Sequence, residues 1–175
     1  MKSRKKTRLP VGQVTNETQT ILPNGKASRD ISDTTLRDFT GYTVRRVAGI
    51  VQSDVNRALK PLGLRLLSFS VLVMIVDNPG LRQAHLAEAL SVERPNLVAI
   101  VDELQRAGWI TRNPDPTDRR AHALCPTQAG QNLYNKAVEV VQSHEARMTG
   151  EMGGDERAVL LTMLRRIEAA GKSSA

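Results

Sequence analysis

A chain of 175 residues is long enough for one domain with a real core, or for one domain plus a tail. Only 3% of the residues are aromatic, so the core must be aliphatic, and a surface that stacks single-stranded bases is argued against. The formal charge of +7 and the pI of about 10.1 suit a polyanionic partner.

That charge is unevenly spread. Residues 1–35 hold seven Lys and Arg against three acids, a balance of +4, which leaves +3 on the other 140. Any polyanion must therefore meet a local cluster of cations rather than a uniformly basic body. Residues 1–33 are rich in Thr, Asn, Gly, Pro and Lys, show no apolar period, and are expected to be a disordered basic tail. The single cysteine, Cys125, cannot form an internal disulfide and suits a reducing compartment. No apolar run approaches the roughly 18 residues of a membrane span, and no apolar stretch follows the basic start as in a secretory signal. A soluble, cytoplasmic protein is expected.

From Thr34 a helical pattern begins, with Leu36, Phe39, Val44, Val47, Val51, Val55 and Leu59 at three- and four-residue spacing, until Pro61 and Gly63 stop it. Its apolar stripe is longer than a small local core can cover, which points to burial against another subunit. Residues 68–76 are almost wholly apolar; alone they could be a strand, but the flanking helices favour a helix, closed by the turn Asp77-Asn78-Pro79-Gly80. Residues 83–90 form a short helix burying Leu86, Ala87 and Leu90. A helix over 94–107 buries Leu97, Ile100, Val101 and Leu104, admits Pro95 in its first turn, and ends at Gly108.

A small hairpin follows: a strand at Trp109-Ile110-Thr111-Arg112, a polar turn over 113–120, and a returning strand around 121–125. Thr127 then caps a long helix through Leu133, Ala137, Val140 and Val141. Gly150, Gly153 and Gly154 break that helix, and Asp155 opens a last amphipathic one carrying Val159, Leu160, Met163, Leu164 and Ile167. A helix held out by a two-helix scaffold beside a cationic hairpin is shaped to meet two adjacent grooves of duplex DNA.

Four stretches carry a resemblance to a known family. They are Leu86-Ala87-Glu88-Ala89-Leu90 leading to Arg94-Pro95-Asn96-Leu97-Val98, Val101-Asp102-Glu103-Leu104 with Gly108-Trp109-Ile110, Asp115-Pro116-Thr117-Asp118-Arg119-Arg120, and Cys125-Pro126-Thr127-Gln128-Ala129-Gly130. In order and spacing, the stretch 36–167 resembles the MarR family of winged helix-turn-helix transcriptional regulators. The resemblance implies a mainly α fold with a small β-hairpin wing and long terminal dimerisation helices. On this reading 34–62 and 127–171 dimerise and 66–126 bind DNA. It also implies a homodimer on a pseudo-palindromic operator, commonly repressing and released by an aromatic or phenolic acid or an acyl-CoA thioester. Two departures stand out. Glu93 replaces the usual small hydroxyl before the reading helix, and Val98 and Ala99 occupy positions where many members carry Thr and Arg.

On a helical wheel Pro95, Ala99 and Asp102 point away from the buried stripe, flanked by Asn96 and Val98. Asn96 is expected to hydrogen-bond a base, with Pro95, Val98 and Ala99 against thymine methyls and Arg94 on phosphate. By the family match Arg120 is the minor-groove residue and Arg119 a phosphate contact; Asp118 would brace the wing on a neighbouring Arg, and Arg112 could touch the backbone. The basic tail either adds phosphate contacts or serves as a solubilising end. An effector crevice is expected where the first helix meets the reader, with Tyr42, Arg45, Arg46, Phe69, Val73 and His144 as candidates. There an Arg would pair with a carboxylate or phosphate, and Tyr42 or Phe69 would stack on a ring; Arg45 and Arg46 fit a solvated face equally well.

His85, His122 and His144 lack metal-ligand spacing, Cys125 reads as a small buried apolar residue, and no phosphate-binding glycine loop or Ser/His/Asp series is present. Neither an enzyme nor a cofactor is expected. The rivals to a ligand-released repressor are a winged-helix module that binds protein and an architectural DNA binder without an effector.

Overall fold

The computed structural model describes residues 31–114 and 122–172. The basic tail up to residue 30, and the wing tip with Asp118, Arg119 and Arg120, lie outside the described residues. The chain divides into two units, Met1–Tyr42 and Thr43–Ala175. In the first, Asp33 accepts from Arg37 Nε at 2.7 Å and from the Tyr42 hydroxyl at 2.8 Å beside a short helix α1 (Thr34–Arg37). The single first helix expected from the apolar period is in fact two, because α2 spans Thr40–Leu59. Around the break the backbone tightens to i→i−3 bonds, from Phe39 N–H to Leu36 and from Tyr42 N–H to Phe39, both 3.1 Å.

In the second unit Pro61 sits in a 3₁₀ turn, and Gly63 (φ 70°) adopts the left-handed conformation that ends it. The chain bends by 69° into α3 (Leu66–Asp77), whose start is fixed by Leu66 N–H donating to Asn56 Oδ1 at 2.7 Å and Arg65 N–H to Ser68 Oγ at 2.8 Å. The apolar run 68–76 is therefore a helix, as its neighbours suggest. Among the described residues no single helix is long and apolar enough to cross a membrane.

After the turn comes β1 (Leu81–Arg82), then α4 (Gln83–Ala89), α5 (Arg94–Arg106), β2 (Ile110–Pro114), β3 (His122–Pro126), α6 (Gln128–Thr149) and α7 (Gly154–Lys172). The strands form an antiparallel sheet in the order β1-β3-β2. At two residues, β1 is too short to show any alternation in sequence. Asn113 and Pro114, expected in the turn, extend β2 opposite Ala123 and His122. Proline is tolerated there because β2 is an edge strand.

The core is aliphatic. Val55 and Leu59 of α2, Val71, Leu72 and Ile75 of α3, and Leu86 of α4 pack with all four stripe residues of α5, with Ile110, Leu124 and Ala137 closing it. Burying each such side chain stabilises the fold by about 1.5–3 kcal/mol before conformational entropy opposes it. Leu90 and Cys125, expected to be buried, are half-buried at its margin.

The junction between hairpin and α6 is tied by several hydrogen bonds. Gly108 (φ 73°) ends α5, and Thr127 Oγ1 donates to its carbonyl at 2.7 Å. Thr127 N–H donates to the Trp109 carbonyl at 3.0 Å, and Gly130 N–H donates to Thr127 Oγ1 at 3.0 Å, the expected helix cap.

A separate face stays uncovered within one chain. Val44, Val47 and Ile50 of α2 are exposed, as are Val159, Leu160, Met163, Leu164 and Ile167 of α7. None of the buried core residues belongs to α7.

Candidate nucleic-acid interface

The link between α4 and α5 is short and rigid. Ser91 takes φ 51°, uncommon for a residue with a side chain, and Val92 N–H donates to the Ala87 carbonyl at 3.0 Å, tying the link back to α4. Glu93 occupies the cap position without a side-chain cap bond, while its carbonyl accepts from Leu97 N–H at 3.1 Å. Its carboxylate still lies beside the positive end of the helix.

With Leu97, Ile100, Val101 and Leu104 pinned in the core, α5 presents Arg94, Pro95, Asn96, Val98 and Ala99 to solvent. These five expected contacts therefore share one accessible surface. Gln83 joins them: it lines a small crevice with Ala84, Ala87, Arg94, Leu97 and Val98. A polar residue at the first position of a short helix carries no distinguishing mark in sequence; only the packing of α4 against α5 brings it there.

Asp102 keeps 42% of its side chain exposed, on the side of α5 away from the buried stripe, in line with the wheel. Its Oδ1 accepts a hydrogen bond from Arg112 Nη2 across from α5 to β2. Arg112 shares the inner side of β2 with the buried Ile110 and stands opposite the buried Leu124, whereas Thr111 and Asn113 are exposed. Its side chain is 24% exposed. A bond between the reading helix and β2 is thus present at Asp102, while Asp118, expected to brace the wing, lies outside the described residues.

The expected effector residues are carried by α2, α3 and α6. Tyr42 lies in the first unit. Arg45 and Arg46 are exposed on α2, and Phe69 and Val73 are half-buried on α3. His144 is 2% exposed, with Nε2 3.2 Å from Asp54 Oδ2, close but without the alignment of a hydrogen bond. The same carboxylate accepts from Arg147 Nη2 at 3.1 Å and Arg57 Nη1 at 3.0 Å, so Asp54 joins α2 to α6. In front of it lies an open groove of about 500 Å³ lined by Arg46, Gly49, Ile50, Ser53, Asp54, Arg57 and Met148.

The Arg147 hydrogen bond, helped by the charges of Arg147, Arg57 and His144, holds the Asp54 carboxyl below its ordinary value of 3.8, against the opposing effect of burial. A lowered carboxyl pKa contributes stability that is present above the unfolded value and is lost as pH falls through the folded one. Asp54→Asn should therefore melt below wild type at neutral pH, with the two melting temperatures converging below roughly pH 4. Thermal melts across that range check it, and a gap that persists into acid assigns the loss to packing instead.

A MarR family model matches residues 62–121. A putative transcriptional regulatory protein for the hcr operon of Thauera aromatica is 32% identical over 99 residues, covering 57% of this chain and 60% of that protein. An HTH-type transcriptional repressor of Mycobacterium tuberculosis is 30% identical over 127 residues, covering 73% of this chain and 91% of the relative. Among solved structures, the transcriptional repressor CouR bound to a 23-mer DNA duplex superposes with a TM-score of 0.76 at 35% identity, covering 80% of this chain and 99% of that one. CouR from Rhodococcus jostii RHA1 bound to p-coumaroyl-CoA gives 0.70 at 31% identity, covering 79% and 95%. With a helix-turn-helix, a wing sheet and long flanking helices in the same order, the chain belongs to the MarR family of transcriptional regulators rather than to any enzyme family.

Proposed function

We propose that the protein is a homodimeric, sequence-specific DNA-binding repressor of the cytoplasm that a small molecule releases from its operator. The observation that carries this reading is α5, held by four buried residues so that Arg94, Asn96 and their neighbours form one accessible edge beside the hairpin. In the major groove Asn96 would serve a base edge and Pro95, Val98 and Ala99 thymine methyls, with Arg94 on phosphate. Arg120 would enter the adjacent minor groove and Arg119 would lie on phosphate. The uncovered faces of α2 and α7 supply the apolar surface that a second copy would bury, giving two readers and a pseudo-palindromic site.

For the effector, we favour an aromatic or phenolic acid or its CoA thioester. The groove beside Asp54 pairs cationic Arg46 and Arg57 with apolar Ile50 and Met148, a lining suited to an anionic, partly apolar molecule. The similarity to a repressor bound to p-coumaroyl-CoA supports the same class.

Selection of bound sequences from random duplexes, followed by anisotropy titrations at fixed salt, tests the reading. One enriched, two-fold symmetric sequence is expected, and Arg120→Ala should weaken it by about 1–3 kcal/mol, or roughly 5- to 150-fold. Equal affinity for all duplexes at moderate salt would sink the proposal. Release of the complex by hydroxycinnamic acids or their CoA thioesters tests the effector assignment separately.

A further inference from the structure

We propose that Asp102 and Arg112 form a brace that fixes the strands of the wing against the reading helix, so that Arg112 is a positioning residue and not a contact to the DNA backbone. The inference rests on the DNA-binding reading above and adds how the two reading elements are held in register.

Three observations carry it. First, the side chain of Arg112 lies on the inner side of β2, in line with Ile110 at 1% exposure and opposite Leu124 at 0%. An arginine reaching for phosphate belongs with the outward Thr111 and Asn113. Second, the guanidinium is already engaged by Asp102 through a charge-assisted bond, and the pair is partly shielded from water. Such a pair is worth more than a fully exposed one, where screening removes most of the attraction. Third, Asp102 sits one helical turn beyond Ala99, on the accessible side of α5. A bare carboxylate there would face the phosphates at close range. Pairing with Arg112 cancels its charge while using it as an anchor.

The geometry also explains why one bond matters. The hairpin is attached to the helical layer by Ile110 at the start of β2 and by Ala123 and Leu124 of β3, while its outer residues Asn113 and Pro114 are exposed. Arg112 is the last residue on that side of β2 that is not exposed, Pro114 beyond it being exposed. Without its bond the outer part of β2 would be held only by its ladder to β3, and a small shift there would carry along the hairpin.

The test uses the full-length protein and its selected operator, comparing Asp102→Ala, Arg112→Ala and the double variant with wild type. Each single variant is expected to lower the ratio of operator to unrelated-duplex affinity about five- to tenfold, and the double variant no further, because both singles break the same bond. The slope of log affinity against log salt should be unchanged in Arg112→Ala, since no phosphate contact is lost. Amide exchange in β2 and β3 of the free protein should quicken in both singles. A slope lower by about one unit in Arg112→Ala, together with full specificity in Asp102→Ala, would make Arg112 a phosphate contact and overturn the brace. Unaltered amide exchange in both variants overturns it as well, whether or not DNA is bound. Failure of wild type to prefer any duplex would count against the DNA-binding reading, and the exchange comparison would still decide the brace.

Discussion

Gly130→Ala is expected to destabilise the protein by about 3 kcal/mol, lowering its melting temperature by roughly 6–12 °C. In an open helix the same change stabilises, because alanine loses less backbone freedom on folding than glycine. Here the sign reverses for a steric reason. A Cβ on Gly130 would stand 1.9 Å from the Trp109 carbonyl oxygen and 2.9 Å from its carbon. That carbonyl cannot step aside cheaply, since it accepts the Thr127 N–H at 3.0 Å and lies 3.2 Å from Thr127 Oγ1. Either the first turn of α6 lifts off the hairpin or the Thr127 cap breaks. Gly171→Ala, where no atom lies within 4 Å of the added carbon, is the control. Thermal melts of the two variants decide the matter: equal, small shifts would show that the junction yields freely.

The second large effect is expected in assembly. Leu164→Asp should raise the dimer dissociation constant about 1000-fold, equivalent to roughly 4 kcal/mol, by placing a carboxylate on each side of an apolar interface. Leu160 and Leu164 are each 39% exposed in the single chain and stand one turn apart on α7. Because none of the buried core residues belongs to α7, the substitution leaves the core intact and acts on association. Light scattering during gel filtration should show a folded monomer at micromolar concentration. Operator binding should fall with it, since two linked readers bind far more tightly than one. A dimer that survives the change would place the interface elsewhere.

Most of the second unit is legible in the sequence wherever a strong local rule and burial agree. The stripe Leu97, Ile100, Val101 and Leu104, the left-handed Gly108 and the Thr127 cap each announce their structure, and each is found as expected. The features that escape are set by tertiary partners. The break near Asp38 leaves the apolar period intact, and β1 is a strand only because Leu124 and Ala123 lie beside it. The inward turn of Arg112 was latent in its two-residue spacing from Ile110, but the attraction of an arginine in a DNA-binding hairpin points the other way. The groove beside Asp54 escapes because it is formed by residues of α2 and α6 about ninety apart, Asp54 and Met148 among them.

The single tryptophan has a consequence of its own. Trp109 stands where the reading helix hands over to the hairpin, with its ring against Gly63 and its carbonyl under Thr127. Its only aromatic company in the whole chain is two tyrosines and two phenylalanines. The molecule therefore carries one intrinsic fluorophore at the junction of its DNA-facing parts, where a change on binding should register in ultraviolet emission without any attached dye.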